Sequence, residues 1–221
     1  MAERLSDLEA RIHAACRQHR RDPDSVKLLA VSKTQPVEVL QTAYTLGLRQ
    51  FGENYLQEAL GKIDALPGDC EWHFIGPIQS NKTRPIAESF DWVHTLARDK
   101  IARRLNEQRP EALAPLKVCI QVNVSGEASK SGLAPDELPD LVDTVRQLPR
   151  LTLMGLMCIP EAAADEAQLR AQFALLRQLR DDYLPDAPTL SMGMSGDLDT
   201  AIAEGSTMLR IGTALFGARS T

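Results

Sequence analysis

Short apolar runs rich in β-branched residues alternate along the chain with stretches whose apolar residues recur every three or four positions. The first pattern is typical of buried strands and the second of amphipathic helices. Eight runs predict strands, at Lys27–Lys33, Arg49–Tyr55, Glu71–Gly76, Asp91–Leu96, Leu116–Val124, Thr152–Ile159, Thr189–Ser195 and Met208–Gly217. The helical stretches between them include Val37–Leu46, Ile101–Gln108, Pro135–Leu148, Ala167–Tyr183 and Asp197–Glu204.

The order of these elements indicates the fold class. Strands that alternate with helices favour a parallel sheet, and eight such units favour an α/β (β/α)₈ barrel over an open doubly wound sheet. A further helix precedes the first strand and is expected to cover the outside or the bottom of the barrel with Leu5, Leu8 and Ile12. We expect residues 1–221 to form a single domain.

The composition of the chain limits the kinds of molecule that it is expected to bind and where it is expected to act. The chain carries 25 Lys and Arg against 30 Asp and Glu, a net charge of −5, which does not indicate a nucleic-acid-binding surface. Its N-terminus alternates charged and apolar residues, unlike a signal peptide or a membrane span, so we expect a cytoplasmic protein. No apolar interface is visible, which favours a monomer. The cysteines lack metal-site spacing and are interpreted as reduced, partly buried thiols: Cys16, Cys70, Cys119 and Cys158.

Barrel sites are built at the C-terminal ends of the strands, so the residues found there are the candidates for chemistry. After the last two strands stand Ser195-Gly196 and Gly212-Thr213. Ser195 and Thr213 supply hydroxyls, the glycines let a ligand approach the backbone closely, and a helix follows Gly196. These features favour phosphate binding, which is common at this part of a barrel. The alternative is that Ser195 caps a helix and Gly212 only permits tight packing.

Lys33 ends the apolar first strand and is expected to project into the barrel mouth. It could pair with an acid, hold an anion or act as a Schiff-base nucleophile. The last role requires a pKa below the ordinary lysine value of about 10.4. Arg210 on the eighth strand is a cation that could lower it, because the first and eighth strands of a closed barrel are neighbours.

Three further residues have both a structural and a functional interpretation. Arg210 could form an ion pair with Glu53 or Asp197, or could donate to a ring nitrogen or an anion. His73 is interpreted first as a hydrogen-bonded interior histidine and second as a weak base. Asn54 could contact a planar ligand or cap the next helix.

The longest irregular stretch, Ser125–Pro135, lies between the fifth strand and its helix, at the face where barrels bind ligands. It is either a flap over the site or an ordinary surface loop. If Lys130 in this loop lies near the ligand or a delivery partner, its replacement should change ligand retention or transfer.

Several long motifs stand in a fixed order along the chain: AVSKTQP, FGENYLQE, WHFIGPIQSNK, QVNVSGEASKSG, LSMGMSGD and RIGTALFG. In these blocks the sequence resembles the pyridoxal phosphate homeostasis protein family, essentially over Leu28–Arg219. The resemblance implies a barrel like the N-terminal domain of alanine racemase that binds pyridoxal 5′-phosphate. Lys33 would hold this cofactor as a Schiff base, with Ser195, Gly212 and Thr213 on its phosphate. Arg210 would face the pyridine nitrogen, and Asn54 would lie near the ring.

The same residues favour a binding protein over an enzyme, and no catalytic or metal-binding residue is assigned. An arginine opposite the pyridine nitrogen donates to its unprotonated form, which weakens the ring as an electron sink. The length leaves no residues for the second domain that a racemase uses, and Tyr55 is the only remote candidate for an acid or base at a strand end. We expect a protein of intracellular vitamin B6 homeostasis that passes the cofactor to apo-enzymes. The alternatives are an amino-acid racemase and a cofactor-free Schiff-base aldolase.

Overall fold

The computed structural model describes residues 1–127, 131–161 and 164–217, and it contains a closed barrel of eight parallel strands. The strands are β1 Lys27–Val31, β2 Gln50–Glu53, β3 Glu71–Phe74, β4 Trp92–Leu96, β5 Leu116–Gln121, β6 Leu151–Met157, β7 Thr189–Ser191 and β8 Met208–Ile211. Each pairs with the next, and β8 closes the barrel on β1, where Leu29 lies opposite Arg210. The predicted (β/α)₈ barrel is confirmed.

Helices occupy the connections between strands. They are α1 Ala2–Gln18, α2 Val37–Thr45, α3 Leu56–Ala65, α4 Thr83–Ser89, α5 Asp99–Gln108, α6 Leu138–Arg146, α7 Glu166–Tyr183, α8 Leu198–Ala203 and α9 Thr213–Phe216. Short 3₁₀ turns cover Pro23–Ser25, Ser80–Lys82 and Pro135–Glu137.

The strands are shorter than the apolar runs that predicted them. The largest difference is in the last run, which was expected to be extended to Gly217 but leaves the sheet after Ile211 and forms α9. The fifth run likewise ends as a strand at Gln121 rather than at Val124. Apolar residues continue past the paired segment because the loops at the barrel mouth also bury side chains, so hydrophobicity alone overstates strand length.

Most of the core lies between the sheet and the surrounding helices, where Phe51, Phe90 and Phe173 are fully buried. The barrel interior holds two small apolar clusters, one of Leu29, Ile75 and Met208 and one of Trp92, Cys119 and Met157. Buried polar side chains occupy the same sheet as these clusters. The interior is therefore partly polar, which bears directly on the site.

Helix α1 packs on the outside of the barrel against α8 and α9, as the apolar face of the N-terminal helix predicted. Leu5, Leu8 and Ile12 are buried there. The cysteines of the chain are free and buried, in agreement with their interpretation as reduced thiols. Among the residues that the structure describes, no helix combines the length and apolar character that a membrane span requires.

Candidate functional site

A cavity of ≈ 290 Å³ opens at the C-terminal ends of the strands, between the loops that follow β1, β2, β7 and β8. All six side chains or backbone positions predicted for ligand binding line it: Lys33, Asn54, Ser195, Arg210, Gly212 and Thr213. Apolar walls are supplied by Val31, Ile75, Met157, Ile159 and Met194. A second cavity of ≈ 390 Å³ shares Asn54, Ile75 and Ile159 with the first. The structure thus brings together predicted residues from both ends of the chain, such as Lys33 and Thr213.

Lys33 lies two residues beyond the end of β1, is half-buried and lines the cavity, as expected for a lysine at the barrel mouth. The turn that carries it is unusual, because the next residue, Thr34, has a left-handed backbone with φ +65°. A non-glycine residue needs local support to remain in that region.

Arg210 is 5% exposed within β8 and lines the same cavity. Its Nη1 donates to the carbonyl oxygen of Ser191 at 2.5 Å and to the Ser191 hydroxyl at 2.9 Å, and its Nη2 donates to the Cys158 carbonyl oxygen at 2.7 Å. Among the described residues it forms no ion pair with Glu53 or Asp197, so that structural interpretation is wrong. Burial lowers the pKa of Arg210 from its ordinary value, with the nearby Asp197 charge acting in the opposite direction.

A chain of polar contacts leads away from Arg210 through the barrel. The Ser191 hydroxyl lies 2.8 Å from His94 Nδ1, and His94 Nε2 lies 2.9 Å from His73 Nδ1. His73 Nε2 lies 3.6 Å from the carboxylate of Glu71, which is too long for a hydrogen bond but close enough for attraction. Because β4 and β7 are not adjacent, the contact between His94 and Ser191 crosses the barrel interior.

The two ends of this chain have fixed hydrogen-bonding roles. Arg210 can only donate and the ionised Glu71 can only accept, whereas the Ser191 hydroxyl and the two imidazole rings between them can do either. Burial lowers the pKa of His73, and burial together with the nearby His73 and Arg210 lowers the pKa of His94 well below its usual range, so both shifts favour neutral rings. His73 is confirmed as a hydrogen-bonded interior histidine.

The carboxylate at the far end of the chain is itself well held. The ring of His73, then the Lys117 ammonium at 2.5 Å and the indole Nε1–H of Trp92 at 2.8 Å, hold the pKa of Glu71 well below its usual range. Trp92 also stacks on His73 with ring centroids 5.2 Å apart. A fixed negative charge therefore stands at the end of the chain opposite Arg210.

The side of the cavity formed by the β7 and β8 loops carries the predicted phosphate residues. Ser195 does not cap α8, whose N-cap position is Asp197; its Oγ instead accepts from the backbone N–H of Ala214 in α9 at 3.3 Å. The capping interpretation of Ser195 is thus wrong. A Cβ on Gly212 would lie 3.3 Å from the Val31 carbonyl oxygen, so close packing with β1 does favour a small residue there.

Asn54 lies between the two cavities and does not cap the following helix. Tyr55 takes the N-cap position of α3, and no side chain caps that helix. The Asn54 Oδ1 is buried and has no hydrogen-bond partner among the described residues. A buried amide oxygen without a partner is costly, which favours the interpretation that Asn54 faces a ligand. Tyr55, in contrast, is 56% exposed and does not line either cavity.

The two ends of the loop between β5 and α6 are anchored at the barrel mouth. Leu133 donates to the Gln121 carbonyl oxygen at 3.0 Å and accepts from the Asn123 N–H at 2.9 Å. Ser131 and Gly132 line the second cavity. Lys130 lies outside the described residues, so its proposed role stays a prediction.

Sequence reasoning did not find four polar residues that bond to the site residues or to the groups beside them: Glu58 on Thr34, Lys62 on Ser32, Ser191 on Arg210 and His94 on Ser191. His94 and Ser191 each occur within an apolar run, and a polar residue at an inward position of a barrel strand is the signal that could have identified them. Glu58 and Lys62 have only the i,i+4 spacing of an ordinary surface pair.

Comparison with known proteins agrees with the fold and gives the family. A family model described as the N-terminal domain of alanine racemase matches residues 4–220. The pyridoxal phosphate homeostasis protein of Pseudomonas aeruginosa is 60% identical over 220 residues, covering 99% of this chain and 96% of that protein. That of Escherichia coli K12 is 49% identical over 229 residues, covering 99% and 97%.

Solved structures give the same result. PipY of Synechococcus elongatus, solved with PLP bound, superposes with a TM-score of 0.85 at 38% identity, covering 98% of this chain and 99% of PipY. Alanine racemase of Corynebacterium glutamicum shares the fold, with a TM-score of 0.71 at 18% identity, covering 96% of this chain and 62% of the racemase. The chain therefore belongs to the alanine racemase N-terminal domain family and, within it, to the pyridoxal phosphate homeostasis proteins.

Proposed function

We propose that this protein binds pyridoxal 5′-phosphate in the cavity at the barrel mouth, as a Schiff base on Lys33, and serves its intracellular homeostasis without catalysing a reaction of its own. One observation carries the proposal: Lys33 and Arg210 line one cavity together with two hydroxyl-bearing residues, Ser195 and Thr213. The names of the relatives and the PLP-bound PipY structure support it.

The donors and walls of the cavity fit the chemistry of this cofactor. A phosphate has several strong acceptor oxygens, which the hydroxyls of Ser195 and Thr213 and the open backbone at Gly212 can serve. The apolar side chains of Ile75 and Met157 suit the faces of an aromatic ring. When bound, the cofactor supplies a reactive aldehyde and a conjugated ring, and Lys33 is the amine positioned to capture it.

Arg210 favours binding over turnover. A guanidinium only donates, so opposite the pyridine nitrogen it stabilises the unprotonated ring, which is a poor acceptor for the electrons of a substrate carbanion. Among the described residues that line the cavity, the titratable side chains are Lys33 and Arg210. Neither is suited to moving a proton on the opposite face of the ring. We therefore propose a carrier that releases the cofactor to apo-enzymes, acting as a cytoplasmic monomer.

Replacement of Lys33 tests the covalent site. The purified protein with added pyridoxal phosphate should show the visible absorbance of a lysine Schiff base, and Lys33→Ala should lose it. Lys27→Ala is a matched control, because Lys27 begins the same strand at the opposite end of the barrel and is exposed. Unchanged covalent absorbance in Lys33→Ala would show that another amine holds the cofactor.

Exchange at the α-carbon of amino acids tests the absence of catalysis. Incubation of the loaded protein with L-amino acids in deuterated water should give no α-proton exchange beyond that of free pyridoxal phosphate, because the cavity offers no second acid or base. Sustained racemisation would instead establish the racemase alternative.

Transfer of the cofactor tests the carrier role. When the loaded protein is mixed with an apo-enzyme, the cofactor should pass to that enzyme and restore its activity.

A further inference from the structure

A buried charged cluster lies beside the turn that carries Lys33 and has no part in lining the cavity. We call Glu53, Glu58 and Lys62 the Lys62 cluster. The Lys62 side chain is 3% exposed, the Glu53 side chain is 0% exposed, and the Lys62 Nζ lies 2.7 Å from Glu53 Oε1. It also forms an ion pair with Glu58, one helical turn earlier in α3.

The bonds that leave the Lys62 cluster end on the two residues that flank Lys33. The Lys62 ammonium donates to the Ser32 carbonyl oxygen at 2.7 Å, and the Ser32 hydroxyl donates to Glu53 Oε1 at 2.6 Å. On the other side, the backbone N–H of Thr34 donates to Glu58 Oε1 at 2.6 Å. One ammonium and one carboxylate thus hold the backbone on the two sides of Lys33, and a second carboxylate holds the Ser32 side chain.

Stability alone does not account for such a cluster. A buried ion pair usually contributes no more than well-packed apolar residues of the same size, because both charges lose their hydration. Burial raises the pKa of Glu53, and the bonds from Lys62 and Ser32 counteract it. The cluster instead fixes the position of the backbone, because charge-assisted hydrogen bonds are short and directional. The bond from the Thr34 N–H to Glu58 holds Thr34 in its left-handed conformation.

We propose that the Lys62 cluster positions Lys33 for capture of the cofactor, by fixing the backbone at Ser32 and Thr34. The inference rests on the proposed function, since it gives Lys33 a ligand to capture. Glu53, Glu58 and Lys62 act through the backbone and do not touch the ligand. They are positioning residues. The proposal rests on the observation that their hydrogen bonds end on Ser32 and Thr34, the two neighbours of Lys33.

Glu58 offers the cleanest test because its side chain is 29% exposed and its removal leaves the Glu53–Lys62 pair in place. Glu58→Ala should weaken cofactor binding and slow the appearance of the Schiff-base absorbance. We expect each to change by about tenfold, which corresponds to the free energy of one hydrogen bond to a charged group. Glu58→Gln keeps an oxygen that can accept from Thr34 and should restore most of both. Glu88→Ala is the matched control, since Glu88 also forms an i,i+4 ion pair, with Arg84 in α4.

Hydrogen exchange of the protein without cofactor provides a second measurement that does not depend on binding. The Thr34 amide should exchange about tenfold faster in Glu58→Ala than in the wild type and Glu88→Ala, because it loses its acceptor. Lys62→Met removes the donor to the Ser32 carbonyl oxygen and leaves Glu58 as the Thr34 acceptor, so it should weaken cofactor binding with a smaller effect on Thr34 exchange, provided that its circular dichroism shows a folded barrel.

The outcomes separate this proposal from the function on which it rests. If the wild type captures the cofactor on Lys33 and Glu58→Ala does so with unchanged affinity and rate, the positioning role is overturned. If Thr34 exchanges equally in Glu58→Ala and Glu88→Ala, the cluster does not hold the turn and the role is also overturned. If the wild type does not bind the cofactor, the proposed function itself fails, whatever the exchange shows.

Discussion

At the scale of single residues, burial decides the chemistry of the site more than residue type does. Arg210 is almost completely enclosed, and its donors are directed to Ser191 and Cys158 by hydrogen bonds of 2.5 to 2.9 Å. An arginine held in this way cannot rotate to follow a moving substrate. It is therefore suited to hold a ring in one orientation.

The two buried thiols nearest to Arg210 provide a pH-dependent prediction. Burial raises the pKa of Cys119 and of Cys158 to about 12. Both should therefore resist iodoacetamide at pH 8 in the folded protein and react in urea, as mass spectrometry can measure. Because the pKa of each folded thiol exceeds the ordinary thiol value of 9.0, the stabilising contribution of the two thiols is complete below pH 9 and is lost as the pH rises toward about 12. Rapid labelling of either thiol without denaturant would contradict this prediction.

At the scale of elements, each strand contributes little to the site and the loops beyond the strand ends contribute most. The segment after β3 shows how closely these loops pack. A Cβ on Gly76 would lie only 2.1 Å from the carbonyl oxygen of Asn54, so only glycine lets the β3 loop pass behind that residue. The position of Asn54 thus depends on a residue in the neighbouring loop.

Gly76→Ala should consequently displace Asn54. We expect it to lower the free energy of unfolding by about 1–3 kcal/mol, as overpacking commonly does, and to weaken cofactor binding. Gly61→Ala is the matched control, because a Cβ at Gly61 in α3 would meet nothing within 4 Å. That change should stabilise the protein by about 0.5–1 kcal/mol, since alanine favours a helix. Urea denaturation measures both, and equal effects of the two substitutions would contradict the packing argument.

At the scale of the whole molecule, the first helix supports the last elements of the barrel. Arg4 Nε of α1 donates to the Leu215 carbonyl oxygen of α9 at 3.0 Å, and Arg11 Nη1 donates to the Ser195 carbonyl oxygen at 3.1 Å. The loop that carries Ser195 is therefore held from outside the barrel by α1. Cofactor binding at this loop should stabilise the assembled fold as a unit.

Thermal unfolding measures how much cofactor binding stabilises the fold. A ligand at 100 times its dissociation constant stabilises the folded state by about 2.7 kcal/mol, and each kcal/mol raises the Tm of a chain of this size by about 2–4 °C. Pyridoxal 5′-phosphate should accordingly raise the Tm by about 5–10 °C. Pyridoxal, which lacks the phosphate, should raise it much less at the same concentration, because Ser195 and Thr213 then have no anion to bind. An equal rise with both ligands would argue against the phosphate site.

Both the sequence and the structure contribute to this account, in different ways. The alternation of apolar runs with amphipathic stretches was enough to determine the barrel, because each strand and helix has a period that short segments display. The ends of the strands then indicated Lys33, Asn54, Ser195 and Arg210 as candidates, since a closed parallel barrel brings these ends to one face. Where strands end was predicted less well, as the change from β8 to α9 shows.

Only the tertiary structure decided which residues support those at the site. The contact between His94 and Ser191 joins residues 97 positions apart across the barrel, and the bond from Lys62 to Ser32 spans 30 positions. Neither has a local pattern, because contacts of this kind depend on how strands are staggered and on which helix face packs beside which turn. Periodicity reports the burial of a segment, whereas the partner of a buried polar group is set only when the barrel closes.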